Sequence, residues 1–101
     1  MLARSTALVL ALDGGTTGVR ALLVDETGAP AGDAYREVLP DHPGPGMVEH
    51  DLDALLKALL DVARTVLGGV AADRVRGIGL STQRATAVVW ETATGTPVHR
   101  A

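Results

Sequence analysis

The residues in this sequence with the clearest capacity for chemistry are Asp13-Gly14-Gly15-Thr16-Thr17-Gly18-Val19-Arg20. Consecutive backbone N–H groups in a turn form an anion-binding concavity, so glycines interleaved with threonines favour a phosphate ligand. Thr16 and Thr17 add hydroxyl donors, and Asp13 could hold a magnesium ion through a water molecule. An ordinary glycine-rich hairpin accounts for the same composition equally well, so both interpretations stay open at this point.

The segments on either side of this stretch have the length of strands. Residues 7–12 and 19–25 are largely apolar without a polar stripe, which predicts two buried strands. A turn is predicted over 26–30, with Gly28 in the left-handed position. A third strand is predicted over about 33–39, and its polar residues suit the edge of a sheet. We expect these three strands to form an antiparallel meander.

A helix is predicted over 52–67, where leucine, alanine and valine recur at steps of three and four residues. Asp51 is the predicted N-cap, and Gly68-Gly69 end the helix. Because a helix separates it from the meander, a fourth strand at 75–81 is expected to lie beside strand one and parallel to it. A fifth strand is predicted over 86–91.

Composition narrows the class of protein. The chain has 101 residues, a net charge of −3 and 47% hydrophobic residues, which indicates one globular domain at most. The sequence contains no basic block, which argues against a nucleic-acid surface. The apolar segment 1–12 is too short to span a membrane and is not followed by a signal-peptide cleavage site. The lack of cysteine excludes disulfides and cysteine nucleophiles and is compatible with a reducing cytoplasm.

The predicted order of elements, β-β-β-α-β-β with a glycine-threonine turn after the first strand, resembles the ribonuclease-H-like half of the actin-type ATPase fold. Residues 12–20 resemble the first phosphate loop of the FGGY carbohydrate kinases, and the glycerol kinase branch has the most similar motifs. Three further stretches resemble the same family in the same order: Pro45-Gly46-Met47-Val48-Glu49-His50-Asp51, Gly77-Ile78-Gly79-Leu80-Ser81-Thr82-Gln83-Arg84, and residues 87–97. Together the motifs run from about Val9 to Arg100.

The resemblance implies an α/β fold with a mixed sheet, and residues 1–101 would be an incomplete, N-terminal portion of the family's first domain. It implies ATP-dependent phosphorylation of a sugar or polyol by the full-length protein, with ATP and Mg²⁺ as cofactors. The general base and the lobe that holds adenine would lie beyond residue 101. We therefore expect the chain alone to be inactive.

The resemblance also implies roles for individual residues. The residues expected to bind the nucleotide, with Asp13 also holding the metal through water, are Asp13, Gly15, Thr16, Thr17, Gly18 and Arg20. Gln83 and Arg84 would bind the substrate, with Arg84 holding a hydroxyl group. As alternatives, Arg20 could be an arginine of the sheet surface, and Arg84 could form a salt bridge. A metal site at Glu49-His50-Asp51 is disfavoured, because three successive residues rarely converge on one ion.

Two residues depart from the glycerol kinase pattern. Ala85 stands where those kinases carry glutamate, and Met47 stands where they usually carry tryptophan. Because Ala85 offers no side-chain acceptor and leaves room, we expect a polyol or ketose larger than glycerol to be preferred. The expected partner is this small molecule, without nucleic acid or membrane, and a homo-oligomer of the full-length form stays open.

Two alternative functions remain from the sequence. The first is an actin-like ATPase of the chaperone or filament type, which shares the Asp-Gly-Thr-Thr turn. The second is a non-catalytic, truncated remnant that only folds or binds a partner. Residues 81–90 favour the kinase over the first alternative, because a chaperone has no need of a polyol-binding arginine there.

Overall fold

The structure is a computed structural model that describes residues 6–101. It contains four strands, one α-helix and a short 3₁₀ turn that precedes the last strand. The elements are β1 (Leu8–Gly14), β2 (Gly18–Val24), β3 (Pro30–Glu37), α1 (Leu52–Leu67), the 3₁₀ turn (Ala72–Arg74) and β4 (Val75–Thr82). No helix in this described part of the chain is long and apolar enough to cross a membrane.

The four strands form one sheet in the order β3-β2-β1-β4. Strands β1, β2 and β3 pair antiparallel, whereas β4 runs parallel to β1 with Leu80 aligned to Leu12. A parallel neighbour requires a crossover connection, and α1 supplies it. The predicted meander and the predicted position of β4 beside β1 are therefore both confirmed.

Helix α1 covers one face of the sheet and forms the hydrophobic core with it. Successive side chains of a strand point to opposite faces, so alternate residues of β1 and β2 reach the helix. The buried core residues are Leu8, Leu10, Val19, Ala21, Leu23, Ala58, Val62, Ala63 and Val66. An ion pair between Arg36 on β3 and Asp61 on α1, at 2.7 Å, fixes the edge strand to the helix.

The ends of α1 follow the predicted signals. The Asp51 carboxylate accepts a hydrogen bond from the Ala54 amide at 3.1 Å, which satisfies one of the free N–H groups of the first turn. The helix ends at Leu67, and Gly69 then adopts the left-handed φ of +78° that glycine tolerates. Gly28 likewise takes a φ of +84° in the turn between β2 and β3, as the sequence predicts.

Apart from shifts of one or two residues at the ends of the other strands, the structure differs from the sequence-based prediction at two places. Strand β3 runs from Pro30 to Glu37 instead of 33–39, because the turn before it is shorter than expected. The predicted fifth strand at 86–91 was wrong, since these residues form no strand of the sheet. The segment instead folds back on itself: the Val98 amide donates to the Val89 carbonyl at 2.8 Å, and Trp90 forms an isolated bridge with Pro97. Local pairing thus takes the place of the predicted fifth strand.

Candidate functional site

The turn between β1 and β2, residues 14–18, is the tightest part of the candidate site. The Gly15 amide donates to the Gly18 carbonyl at 2.9 Å, and a Cβ at Gly15 would lie 2.9 Å from that oxygen. A Cβ at Gly18 would lie 2.5 Å from Cζ of Tyr35 and 2.6 Å from the Arg36 carbonyl oxygen. Both glycines are therefore required by the packing of the hairpin itself.

Thr16 and Thr17 occupy the tip of this hairpin and are exposed. The Thr17 carbonyl accepts a hydrogen bond from the Val38 amide at 2.9 Å, which anchors the tip to the residue after β3. Among residues 6–101, no acceptor pairs with the amide N–H of Thr16 or of Thr17. Two amides and two hydroxyls are thus presented together, and this donor set fits an anion such as phosphate.

The end of β4 is joined to the same hairpin. The register aligns Ser81 with Asp13 and Thr82 with Gly14. The Gln83 amide then donates to the Gly14 carbonyl at 2.9 Å, so the pairing continues one residue beyond the strand. The structure therefore brings Gln83 to the hairpin, as expected for a site formed at the carboxyl ends of β1 and β4.

A cavity of about 300 Å³ opens between the hairpin tip and the segment after β4. Its lining residues are Thr16, Val48, His50, Gln83, Ala85, Thr86, Ala87 and Ala101. Thr16 and Gln83, which were assigned to different ligands from the sequence, thus share one cavity. The Arg84 side chain is exposed and does not line this cavity.

Asp13 and Arg20 lie on the other face of the sheet, opposite α1. The register aligns them with each other, aligns Asp13 with Ser81, and aligns Arg20 with Tyr35. A polar row therefore crosses all four strands at the base of the hairpin. We call it the outer row, and its residues are Ser81, Asp13, Arg20 and Tyr35. The structure thus places the predicted metal-holding carboxylate and the predicted nucleotide-binding arginine side by side.

The Arg20 side chain is engaged within the sheet. Its Nη1 donates to both carboxylate oxygens of Asp33 at 2.7 and 2.9 Å, and its Cζ lies 5.0 Å from the centre of the Tyr35 ring. Asp33 is aligned with Leu22, which is farther from the turn than Arg20. The guanidinium therefore points away from the hairpin tip, which is the geometry of the surface-arginine alternative.

The carboxylates at the site offer a metal ion few direct ligands. Within residues 6–101, no group of three or more histidine, aspartate and glutamate side chains converges on one point. Asp13 could therefore serve a magnesium ion as a lone carboxylate, which fits an ion that keeps most of its water molecules. The carboxylates of Glu49 and Asp51 lie instead 3.6 and 3.9 Å from guanidinium nitrogens of Arg100.

Residues 8–101 match the family described as the FGGY family of carbohydrate kinases, N-terminal domain. The chain belongs to the FGGY family. A glycerol kinase from Gloeobacter violaceus is 49% identical over 89 residues, which cover 88% of this chain and 18% of that protein. A glycerol kinase from Dechloromonas aromatica is 43% identical and covers 97% of this chain and 20% of that protein. The chain thus spans about one fifth of the length of these relatives.

A solved structure has the same fold as this FGGY chain. Plasmodium falciparum glycerol kinase, determined with ADP, superposes with a TM-score of 0.83 at 22% identity, over 94% of this chain and 20% of that protein. The predicted actin-type ATPase fold is therefore confirmed. The family that matches is one of carbohydrate kinases and not one of chaperone or filament ATPases.

Three features of this FGGY chain could not be anticipated from its sequence. His50 is 4% exposed, and neither of its ring nitrogens has a hydrogen-bond partner among the described residues. Ala85 has a φ of +61°, a left-handed conformation that costs a residue with a Cβ about 1–2 kcal/mol. Tyr35 packs onto Gly18 from a different strand. Strain of the kind seen at Ala85 concentrates at functional sites, and this residue lines the cavity.

Proposed function

We propose that the protein to which this chain belongs is an ATP-dependent kinase of a sugar or polyol and that the chain is the N-terminal, incomplete portion of its first domain. Membership of the FGGY family and the similarity to glycerol kinases support this proposal. The observation that carries it is the bond from the Gln83 amide to the Gly14 carbonyl. This bond holds the proposed phosphate hairpin against the strand end that carries the proposed substrate residues.

In this proposal the hairpin binds the nucleotide. Thr16 and Thr17 present amide and hydroxyl donors to the phosphates, while Gly15 and Gly18 give the hairpin its compact shape. Asp13 holds Mg²⁺ through water, and Arg20 supports the phosphates after leaving Asp33. Bound Mg²⁺ and ATP supply the charge neutralisation and the phosphoryl group, respectively. The role of this chain is to position them, since phosphoryl transfer depends mainly on positioning and electrostatics.

The acceptor alcohol is proposed to bind at the end of β4. Gln83 lines the cavity beside Thr16, which places an amide within the space next to the proposed phosphate site. Arg84, with five N–H donors in a rigid fork, can hold two hydroxyl oxygens if its exposed side chain turns inward. Ala85 lines the same cavity with a single methyl group. This small side chain favours a polyol or ketose larger than glycerol.

The proposed kinase works on a small molecule, with neither nucleic acid nor a membrane as partner. We place it in the cytoplasm, where ATP is supplied, and a homo-oligomer of the complete protein is compatible with the proposal. The chain by itself is proposed to be inactive, because the general base and the adenine lobe of the family are not among its residues.

The test is a kinase assay on the complete protein that carries this domain. ADP formation would be followed with ATP, Mg²⁺ and, in separate reactions, glycerol, erythritol, ribitol and xylulose. We expect at least one of these alcohols to stimulate ADP formation well above the rate with water alone. Alcohol-independent ADP formation from a folded protein would point to an ATPase, and no ADP formation at all would support the non-catalytic alternative. Either result would refute the proposed function.

A further inference from the structure

Tyr35 lies at the base of the proposed phosphate hairpin, although it comes 17 positions after Gly18, the last residue of that hairpin. A Cβ at Gly18 would clash with the Tyr35 hydroxyl oxygen and would lie 2.5 Å from its Cζ. The tip of the phenol thus lies against the first residue of β2, next in sequence to Thr17. Only a glycine at position 18 leaves room for this arrangement.

The Tyr35 hydroxyl is not committed to another group in the described part of the chain. The residue is 50% exposed, and among residues 6–101 no hydrogen bond engages its hydroxyl. An aromatic ring over a strand glycine is a known packing device, and phenylalanine would fill the same space. The hydroxyl is therefore not needed for packing, and as a donor it can serve an anion at the hairpin.

Arg20 supplies the positive charge of the outer row, and Asp13 supplies its negative charge. Arg20 lies beside Tyr35 with its guanidinium 5.0 Å from the ring centre, a distance at which a cation is attracted by the ring face. The pairing with Asp33 holds that guanidinium away from the tip. The Tyr35 hydroxyl is thus a donor that already faces Gly18, while Arg20 must first exchange its partner.

We propose that Tyr35 is a further residue of the nucleotide site, where its hydroxyl donates a hydrogen bond to a phosphate oxygen of ATP. The face of the Tyr35 ring stays in contact with the Arg20 guanidinium as that group moves from Asp33 to the phosphate. This inference rests on the proposed function, because it requires phosphate to bind at Thr16 and Thr17. A hydrogen bond to a phosphate oxygen is charge-assisted and stronger than one between neutral groups.

The test compares wild type with Tyr35→Phe in the complete protein that carries this domain. ATP affinity would be measured by titration calorimetry, and the Michaelis constant for ATP by the kinase assay. We expect both to weaken about tenfold to a hundredfold, the effect of one lost hydrogen bond to a charged group, with kcat and the thermal midpoint unchanged. Thr92→Val, which removes an exposed hydroxyl from the distant turn after Trp90, is the matched control and should change neither quantity.

Each outcome has a distinct meaning. Wild-type affinity in Tyr35→Phe overturns the role of the hydroxyl while leaving the kinase proposal standing. A wild-type protein that binds no ATP overturns both. If wild type binds ATP but phosphorylates no alcohol, the kinase proposal fails, and the calorimetric comparison still decides the role of Tyr35. Tyr35→Leu, which also removes the ring, should lower the thermal midpoint, in contrast to Tyr35→Phe.

Discussion

The amide N–H of Gln83 donates to the carbonyl oxygen of Gly14 over 2.9 Å, one residue beyond the last aligned pair of β1 and β4. This bond makes the hairpin tip and the segment after β4 two walls of one cavity. In the proposed kinase, phosphoryl donor and acceptor alcohol must approach each other across that cavity. Substitutions in the hairpin, in the residues packed against it and in the segment after β4 should therefore change ATP use, stability and the choice of alcohol separately.

The hydroxyl of Thr16 is expected to bind ATP and to contribute little to the binding of the alcohol. Thr16→Val keeps the shape of the side chain and removes the donor. A hydrogen bond to a charged group is worth about 1.5–3 kcal/mol, so the specificity constant for ATP should fall about tenfold to a hundredfold. The Michaelis constant for the alcohol should stay within about twofold of the wild-type value. Steady-state kinetics with each substrate varied would show that the hairpin is only structural if both constants for ATP were unchanged.

Gly18→Ala should destabilise the fold, because the new methyl group would meet the Tyr35 ring and, at 2.6 Å, the Arg36 carbonyl oxygen. Overpacking of this kind costs about 1–3 kcal/mol in the free energy of unfolding. Gly77→Ala is the matched control. Its Cβ would meet no atom within 4 Å, and its φ is not positive.

Urea unfolding would measure both glycine variants. We expect the free energy of unfolding of Gly18→Ala to fall and that of Gly77→Ala to stay within about 0.5 kcal/mol of wild type or to rise, since an alanine restricts the unfolded chain. Equal stability of the two variants would mean that Tyr35 does not rest on Gly18.

The sequence predicts much of this fold because the relevant signals are local. The N-cap at Asp51, the left-handed turn residue Gly28 and the parallel position of β4 follow from short motifs and from the single helical crossover. For residues 13–20, composition left a phosphate site and a plain hairpin equally open; the family resemblance favoured the phosphate site, which stays a prediction. Each of these features depends on residues that are close in sequence or on a general rule of chain topology.

The features that could not be predicted depend on pairings between distant residues. The Arg20–Asp33 ion pair and the contact of Tyr35 with Gly18 exist only because β2 and β3 pair in one particular register. The strand expected at 86–91 has a suitable sequence, but its backbone pairs locally, as the Val98–Val89 bond shows. Propensity alone does not reveal which partner a strand-like segment will choose.

Asp25 should contribute to stability in a way that depends on pH. Its carboxylate accepts a hydrogen bond from the Thr27 hydroxyl at 2.6 Å and others from backbone amides, including that of Ala29 at 3.1 Å. These bonds, the Thr27 hydroxyl first, lower the pKa of Asp25 below its ordinary value of 3.8. The contribution is therefore complete above pH 3.8 and is lost as the pH falls below that value through the lowered pKa of the folded state.

Asp25→Asn keeps an acceptor in the turn but removes the titration. The midpoint temperature of thermal unfolding would be measured from pH 6 downward. Below pH 3.8 it should fall less steeply with pH for the variant than for wild type. Thr92→Val, an exposed change that alters no titratable group, is the control and should leave that slope as it is. Identical acid slopes in wild type and Asp25→Asn would contradict the role of the turn bonds.

The isolated 101-residue chain is expected to associate in solution and to show no kinase activity. Ile78 and Leu80 lie on the helix side of the sheet, aligned with Leu10 and Leu12, but α1 does not cover them. They are 63% and 74% exposed. Exposed apolar surface on an open edge strand favours self-association.

Light scattering after size exclusion would measure this association at several concentrations. Ile78→Lys with Leu80→Glu should shift the chain toward the monomer, whereas Val98→Lys, a matched change at an exposed valine outside β4, should not. A chain that is monomeric at all concentrations, or one that phosphorylates glycerol by itself, would contradict this expectation.

Ala85 is expected to set the size of the acceptor alcohol, because its methyl group lines the cavity that Thr16 and Gln83 share. Ala85→Glu in the complete protein would fill part of the cavity of about 300 Å³ and add a carboxylate acceptor for hydroxyl groups. A smaller pocket with one more polar anchor favours a smaller alcohol. The specificity constant for glycerol should therefore rise relative to those for erythritol, ribitol and xylulose, by about tenfold, the range that a gained or lost pocket contact produces.

The left-handed backbone at this position provides the control. Ala85 has a φ of +61°, so Ala85→Gly should relieve about 1 kcal/mol of strain and raise the thermal midpoint, while the order of preferred alcohols stays the same. Ala85→Gly thus tests the backbone conformation, whereas Ala85→Glu tests the size of the side chain. If wild type already prefers glycerol by tenfold or more, or if Ala85→Glu leaves the ranking unaltered, the size of residue 85 does not select the substrate. The acceptor group must then come from a residue outside this chain.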